Sequence, residues 1–462
     1  VGVHHAALPD NDGVSAHGTV FCSRSFNNWC TAKRLAVDVK GKVGVSRTIR
    51  AGVAAGGKRE CALGHCECAV LIAQLIVLCR TSTNGDGISA RSTSLSGCVR
   101  DIVLWYKNGQ KGEPNIHDVD IATNMPIDEL YDNFKCTSNN GEAHGTILVI
   151  HKGIAFEVTQ FRVDGDYSDG RHPDSVKFTK SFKDDTARRD FTINAMGIDA
   201  DGNLIDYYGG EQDLDNKILR TVGDSNARFN EDALRIIRAI RFAARFDMKI
   251  DDATYKSICD LKSKITGLAM ERISAELKKT AEYGIKQFAY VIKILVETGA
   301  CDNIDNQYIN WDALNRAATY RVTHSIHPEL AKDPMTSMVL VLLNSDDIEK
   351  TMYKMKLDVD TLKCAKYVEQ GVDVLRNFEE DLVTTVKVCN DKNFMRLLEI
   401  ANLYGVEVPD NKLEKIEELI DNVMPLQQQV SQEIQKVGIT GPQFGKELHD
   451  RMLKKYKDAY RV

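Results

Sequence analysis

The stretch "HDVDIAT", residues 117–123, sets two aspartates one residue apart, Asp118 and Asp120, with Val119 between them. On a β-strand, residues i and i+2 point to the same face, so both carboxylates converge while the valine packs behind. That geometry suits magnesium, a hard cation that takes one or two carboxylates plus substrate phosphates. Two such ions can activate an attacking hydroxyl and stabilise a leaving pyrophosphate oxygen. The chain carries its own control: the tripeptide recurs as Asp358-Val359-Asp360, ahead of a helical pattern, where an aspartate is expected to cap the helix. Context must therefore separate the two copies.

Upstream of the first copy stands "SGCVRD", where Gly97 permits close approach of a phosphate and Arg100 can pair with it. Downstream, "FEVTQFR" puts Glu157 on a predicted strand. There it is either a third carboxylate of the same site or a solvent-facing acid.

The segment "EDALRIIRAIRFAAR" has helical spacing. Projected at about 100° per residue, its alanines and isoleucines form one packed side. Arg235, Arg238, Arg241 and Arg245 form the other, with Asp232 at the border. Four arginines without a lysine point to planar or phosphate partners, although structural ion pairing is the competing reading. Asp232 with Arg235 makes a hydrogen-bond template. Its carboxylate accepts from an exocyclic amine and its guanidinium donates to the neighbouring ring nitrogen, a pattern that cytosine and adenine both meet. Uracil and guanine mismatch it, at a cost of about 1–3 kcal/mol per unsatisfied group.

These residues need elements to hold them. From about 96 to 225, β-like runs such as "GTILVIH" and "IAFEVTQFRV" alternate with turns such as "DADGN"; from about 226 onward nearly every segment reads as helix, for example "NFMRLLEIANLY". An α+β head thus precedes a long helical remainder. At 462 residues the length predicts about three or four domains.

The formal net charge of −6 excludes a uniformly basic nucleic-acid coat, so any polyanion site must be built locally. Residues 436–462 offer such a patch, with seven Lys/Arg against three Asp/Glu. The twelve cysteines, five of them isolated beyond residue 100, fit reduced thiols and a cytoplasmic location. The longest apolar run, Cys68 to Cys79, falls short of the roughly 20 residues that cross a bilayer. It reads as a buried helix or strand, and no membrane association is expected. Residues 1–95 have no assignable fold. In them "GVAAGGKR" lacks the Ser/Thr and the preceding strand of a P-loop, and "CALGHCEC" lacks zinc-type ligand spacing.

Taken in order, "GCVRD", "HDVDIAT", "HGTILV", "FEVTQFR", "ARRDFTINAM", "IDYYGGEQDL", "VGDSNARFNEDALRIIRAIRFAARF" and "ERISAELKK" resemble the class II tRNA nucleotidyltransferases, or CCA-adding enzymes, and the related bacterial poly(A) polymerases. The resemblance runs over about residues 96–280. It implies a nucleotidyltransferase head with a small β-sheet and flanking helices at 96–225, then an all-α neck (226–290), body (291–385) and tail (386–462). It implies further that Asp118 and Asp120 bind catalytic Mg2+ and that Gly97 and Arg100 touch the triphosphate. Arg189, Asp232, Arg235, Arg238 and Arg241 match the family's nucleotide contacts. "VDGDYSDGRHPDSVKF" resembles its flexible loop, and Gly209-Gly210 falls where head meets neck. The implied partners are tRNA, CTP and ATP, and the implied activity is addition of C and A to tRNA 3′ ends. A poly(A) polymerase or A-only enzyme is the alternative within the class. The sequence "EAHGTILVI", where poly(A) polymerases carry a basic aromatic stretch, leans away from it. A non-catalytic tRNA-binding protein is the alternative from another class. One departure stands out: "SARSTSL" is polar and Ser96 replaces a glycine where the family has an apolar strand and two glycines, which puts the first strand of the head in question.

Overall fold

The two β-like runs form strands: "TILVIH" alternates its side chains between two faces, and "IAFEVTQ" pairs with it as an antiparallel hairpin from Thr146↔Thr159 to His151↔Ile154. The computed structural model describes residues 92–95, 97–109, 120–137, 141–151, 154–165, 167, 170, 173–199, 203–305, 307–323, 328–376, 382–389, 391–404, 406 and 425–460. It also describes three short strands, Gly18–Thr19, Leu35–Val37 and Val43–Val45, which pair as a separate antiparallel sheet. The apolar run at Cys68–Cys79 and the two rejected motifs lie outside the described residues.

By its contacts the chain divides into two compact units, Val1–Asp232 with Lys249–Tyr255, and Ala233–Met248 with Lys256–Val462. In the first, a seven-stranded sheet is built from β1 (Ser92–Leu95), β2 (Asp120–Thr123), β3 (Lys135–Thr137), β4 (Thr146–His151), β5 (Ile154–Gln160), β8 (Met196–Ile198) and β9 (Leu204–Asp206). Its order is β9-β8-β1-β2-β5-β4-β3, and only β2 and β5 run parallel. Between β5 and β8, the short strands β6 (Arg162–Asp164) and β7 (Val176–Phe178) form a two-stranded ribbon around the stretch that resembles the flexible loop.

The polar first strand is present. β1 sits between β2 and β8 and pairs with both. All four of its residues pair with β2, and Ser94 and Leu95 with β8 as well, so backbone pairing holds a strand whose side chains are polar but for Leu95. On one face of the sheet Ile121, Ile147, Val149, Phe156 and Val158 pack with Met125 and Leu130 from the segment after β2. On the other, Ala122 packs with Phe161 and Phe182.

Helix α1 (Gly97–Lys107) follows β1, α2 (Ile127–Asn133) follows β2, and α3 (Phe182–Ala187) leads to a 3-10 turn at Thr192–Asn194. Next comes α4 (Gly210–Asn216), whose N-cap Gly209 has φ 76°. A Cβ on Gly210 would stand 2.3 Å from the Thr192 carbonyl oxygen, so that position must be glycine. Helix α5 (Ser225–Glu231) closes the unit, its N-cap Asp224 accepting from Ala227 N–H at 3.0 Å.

The second unit is helical. Helix α6 (Leu234–Phe246) buries Ile236, Ile237, Ala239, Ile240 and Ala243. It packs against α7 (Met270–Ala281) and α8 (Ile285–Thr298). Farther on, α9 (Pro334–Leu343), α10 (Val359–Arg376) and α11 (Phe394–Ala401) meet at buried Arg396, which donates to Thr336 Oγ1 at 3.2 Å and pairs with Asp333, the N-cap of α9. The second Asp-Val-Asp copy behaves as the helix pattern predicts: Asp358 Oδ1 accepts from Thr361 N–H at 2.7 Å at the start of α10. At the C-terminal end, a helix over 425–436 and α12 (Pro442–Tyr460) enclose Val430, Ile434 and Met452.

Candidate active site

Asp120 opens β2 and is flanked on both sides by paired strands, with Leu95 opposite it on antiparallel β1 and Glu157 opposite it on parallel β5. Parallel neighbours in register project to the same side, so Asp120 and Glu157 share a face. It is the face opposite the core residues Ile121 and Val158. Asp120 is half-buried and Glu157 exposed, so an oxygen-rich edge opens to solvent from a rigid central pair of strands. Both donors are hard oxygens, the chemistry that fits Mg2+. Asp118 lies outside the described residues, and among the described residues no group of three His, Cys, Asp or Glu gathers as a metal site.

Arginines from two other segments belong to the same unit. Arg189, with a side chain only 16% exposed, donates to Asp185 Oδ2 at 3.4 Å. Burial lowers its pKa, while the charges of Asp185 and Asp120 act in the opposite sense. The sequence-distant Asp120 and Arg189 are thus electrostatic neighbours. Asp185, fully buried, also accepts from Arg188 Nη2 at 2.9 Å and from Arg162 N–H at 3.2 Å. Burial alone would raise its carboxyl, but Arg188 and Arg189 with these hydrogen bonds hold it below the usual carboxylate range. Through Arg188 and Arg162 the same cluster reaches Asp164 at the base of the β6–β7 ribbon, where Tyr167 Oη donates to Asp164 Oδ2 at 2.6 Å.

Gly97 and Arg100 occupy the first turn of α1, and Arg100 folds back so that its Nη2 would stand 3.5 Å from a Cβ on Gly97. Its guanidinium is buried and bonded to Asp101, through Nε and Nη2 at 2.9 Å, and to Asn194. A helix N-terminus joined to a guanidinium is a ready site for phosphate.

The structure places the remaining predicted residues differently from a single straight helix. The helix begins at Leu234: Asp232 has extended backbone (φ −148°, ψ 107°) and Ala233 is the N-cap, so Asp232 follows α5 rather than belonging to the face of α6. The reason is local, since α5 ends at Glu231 and the chain turns before α6 starts. Within the second unit, Arg241 is 4% exposed, its Nε bonding Glu276 Oε2 at 2.5 Å and its Nη1 bonding Tyr283 Oη at 2.9 Å. Here the competing reading, structural ion pairing, describes Arg241. Arg238 lies over the Phe242 ring at 5.3 Å, and Arg245 over Phe246 at 4.7 Å and Tyr283 at 5.2 Å. The planar partners expected from an all-arginine face are in part the protein's own rings.

Sequence reasoning missed Asp185, Asp190, Asn194 and Glu276. Asp185, Asp190 and Asn194 lie in or beside "ARRDFTINAM", but nothing in the spacing shows that Asn194 meets Arg100, 94 residues away.

Residues 95–220 match the family model described as the poly A polymerase head domain. A CCA-adding enzyme of Limosilactobacillus reuteri (strain DSM 20016) is 33% identical over 331 residues, covering 70% of this chain and 76% of that protein. One from Geobacillus thermodenitrificans (strain NG80-2) is 40% identical over 227 residues, covering 49% of this chain and 54% of that protein, so the match spans about half of this relative's length. In fold, the chain is similar to the crystal structure of Bacillus stearothermophilus CCA-adding enzyme in complex with CTP. There the TM-score is 0.61 at 24% identity, over 82% of this chain and 91% of that one. The part of the sheet that holds Asp120 and Glu157 in parallel register lies within the residues that match the poly A polymerase head. The chain belongs to the family of CCA-adding enzymes.

Among the described residues, no helix is long and apolar enough to cross a membrane.

Proposed function

We propose that this protein adds C and A, from CTP and ATP, to the 3′ end of tRNA, releasing pyrophosphate and depending on a divalent metal ion, Mg2+. The observation that carries this reading is the register of Asp120 with Glu157, beside the charge of Arg189. Asp118, Asp120 and Glu157 would hold the metal. When bound, it supplies positive charge for deprotonating the terminal ribose hydroxyl and for the developing pyrophosphate.

The protein's own groups do the rest. The N-terminal turn of α1, with Gly97 and Arg100, receives the triphosphate. Arg189 adds a second guanidinium. Asp232 and Arg235 read the Watson–Crick edge of the base, accepting C or A and refusing U or G. Arg238 provides a further contact to the nucleotide. Arg241 serves that helix face from behind, by fixing α6 to Glu276 on α7. Catalysis of this kind is positioning plus electrostatic stabilisation. The basic residues of 436–462 meet tRNA phosphates, which makes binding salt-dependent. The thiols Cys136, Cys259, Cys301, Cys364 and Cys389, none in a disulfide, fit a cytoplasmic setting.

The test is incubation with tRNA lacking CCA and with CTP or ATP supplied singly and together. Ordered incorporation of C and A that vanishes in Asp120→Ala is expected. A long tail from ATP alone would replace this reading with poly(A) synthesis, and equal incorporation by the variant would refute the site.

A further inference from the structure

A buried polar chain runs beneath the proposed phosphate site. Arg100 Nη1 donates to Asn194 Oδ1 at 2.5 Å, and Asn194 Nδ2 donates to Asp190 Oδ1 at 3.0 Å. The backbone N–H of Phe191 donates to the same Asp190 oxygen at 2.8 Å. Arg100, Asn194 and Asp190 are each less than a tenth exposed. An amide between a guanidinium and a carboxylate has only one workable orientation. Its oxygen must face the donor and its nitrogen the acceptor; reversal sets donor against donor and acceptor against acceptor. The turn carrying Asn194 is itself pinned, by Thr192 N–H to the Arg220 carbonyl at 3.0 Å and Thr192 Oγ1 to Asp213 at 2.7 Å.

Opposite Asn194, Arg100 is held by Asp101, a neighbour on its own helix. Asp101 can fix the guanidinium only relative to α1. Asn194 fixes it relative to a different segment, the one that begins with Arg189. We propose that Asn194 is a positioning residue for the triphosphate of the incoming nucleotide: acting through Arg100, it keys the "GCVRD" turn to the "RRDFTIN" segment, so that the arginines of both present a fixed spacing. The inference rests on the assignment of Gly97, Arg100 and Arg189 to the nucleotide.

The chemistry separates position from mere stability. Asn194→Ala removes the acceptor that aims Arg100. KM for CTP and ATP should rise about tenfold, the size of one lost hydrogen bond to a charged group. Pyrophosphate binding, measured by calorimetry, should weaken by a similar factor, with a smaller change in kcat. Asn194→Asp keeps an acceptor for Arg100 but sets a carboxylate against Asp190, so it should regain most of the lost affinity while melting at a lower temperature. Asp358→Ala, which removes the cap of α10, should lower the melting temperature and leave KM and pyrophosphate affinity in place. If Asn194→Ala does not fold, Asn194→Ser, too short to reach Arg100, carries the same expectation.

Unchanged KM and pyrophosphate affinity in the folded Ala or Ser variant overturns the proposal. So does a loss of affinity in Asp358→Ala or Asn194→Asp as large as that in Asn194→Ala. A wild-type protein that transfers no nucleotide overturns the activity reading instead, while its pyrophosphate affinity still tests the role of Asn194.

Discussion

Asp120 and Glu157 stand directly opposite one another on the parallel strands β2 and β5, the one parallel pair in the seven-stranded sheet. Their backbones are held about 4.8 Å apart by the strand spacing, so the two carboxylates share one edge without depending on a loop. Glu157→Gln keeps the shape and removes a charge. It should lower kcat about 100-fold, equivalent to about 2.7 kcal/mol of transition-state stabilisation, and raise the metal concentration needed for half-maximal activity. Turnover at the wild-type rate and metal requirement would make Glu157 an ordinary surface acid.

The repeated tripeptide gives an internal contrast. Asp358 caps α10 through Thr361, so Asp358→Ala should cost about 1 kcal/mol in denaturant unfolding and leave nucleotide incorporation intact. Asp120→Ala should do the reverse, abolishing incorporation with little change in the unfolding midpoint. Similar profiles for the two variants would erase the distinction between cap and site.

Stability should carry an acid limb set by Asp185. Its carboxyl is held below the usual range in the folded protein by Arg188 and Arg189, against the effect of burial. A group depressed on folding contributes stability that is full above its unfolded pKa, about 3.9, and is lost as pH falls through the lower folded value. Unfolding midpoints followed from about pH 6 downward should therefore fall below about pH 4. Asp185→Asn should be less stable near neutrality and show a flatter acid limb. An unaltered limb in that variant would assign acid sensitivity elsewhere.

The ion pair of Arg241 with Glu276 is buried on both sides, each side chain about 5% exposed. Removing one partner leaves an uncompensated buried charge, at a cost of about 3–5 kcal/mol. Arg241→Ala and Glu276→Ala should each unfold at markedly lower denaturant, whereas a paired Arg241→Met, Glu276→Leu change should recover much of the loss. If Arg241 contacts nucleotide as well, the paired variant will also lose affinity for CTP and ATP, and activity assays on it separate the two roles.

How much of this was legible beforehand depended on the range of the interaction. Strands β4 and β5 and helix α6 followed from apolar periodicity, because a side chain's face is fixed by its position within one element. The opening aspartates stood out for the same reason. Strand β1 was hidden: a polar tetrapeptide is a strand here because two neighbours pair with its backbone, and no local preference records that. Asp232 was misplaced on a continuous helix because periodicity does not mark where the chain turns between α5 and α6.

By itself, then, the sequence determined which residue types stand at which spacing, and so the chemistry proposed for them: carboxylates at strand spacing, a glycine and an arginine suited to phosphate, an acid and an arginine suited to a base edge. Tertiary structure alone decided which carboxylate stands beside Asp120, that Arg100 bonds Asn194, and that Arg241 turns inward to Glu276. Spacing along a chain fixes direction within an element. Register between strands and partners for buried charges are set by the packing of segments far apart in sequence, where each polar group must find its counterpart away from water.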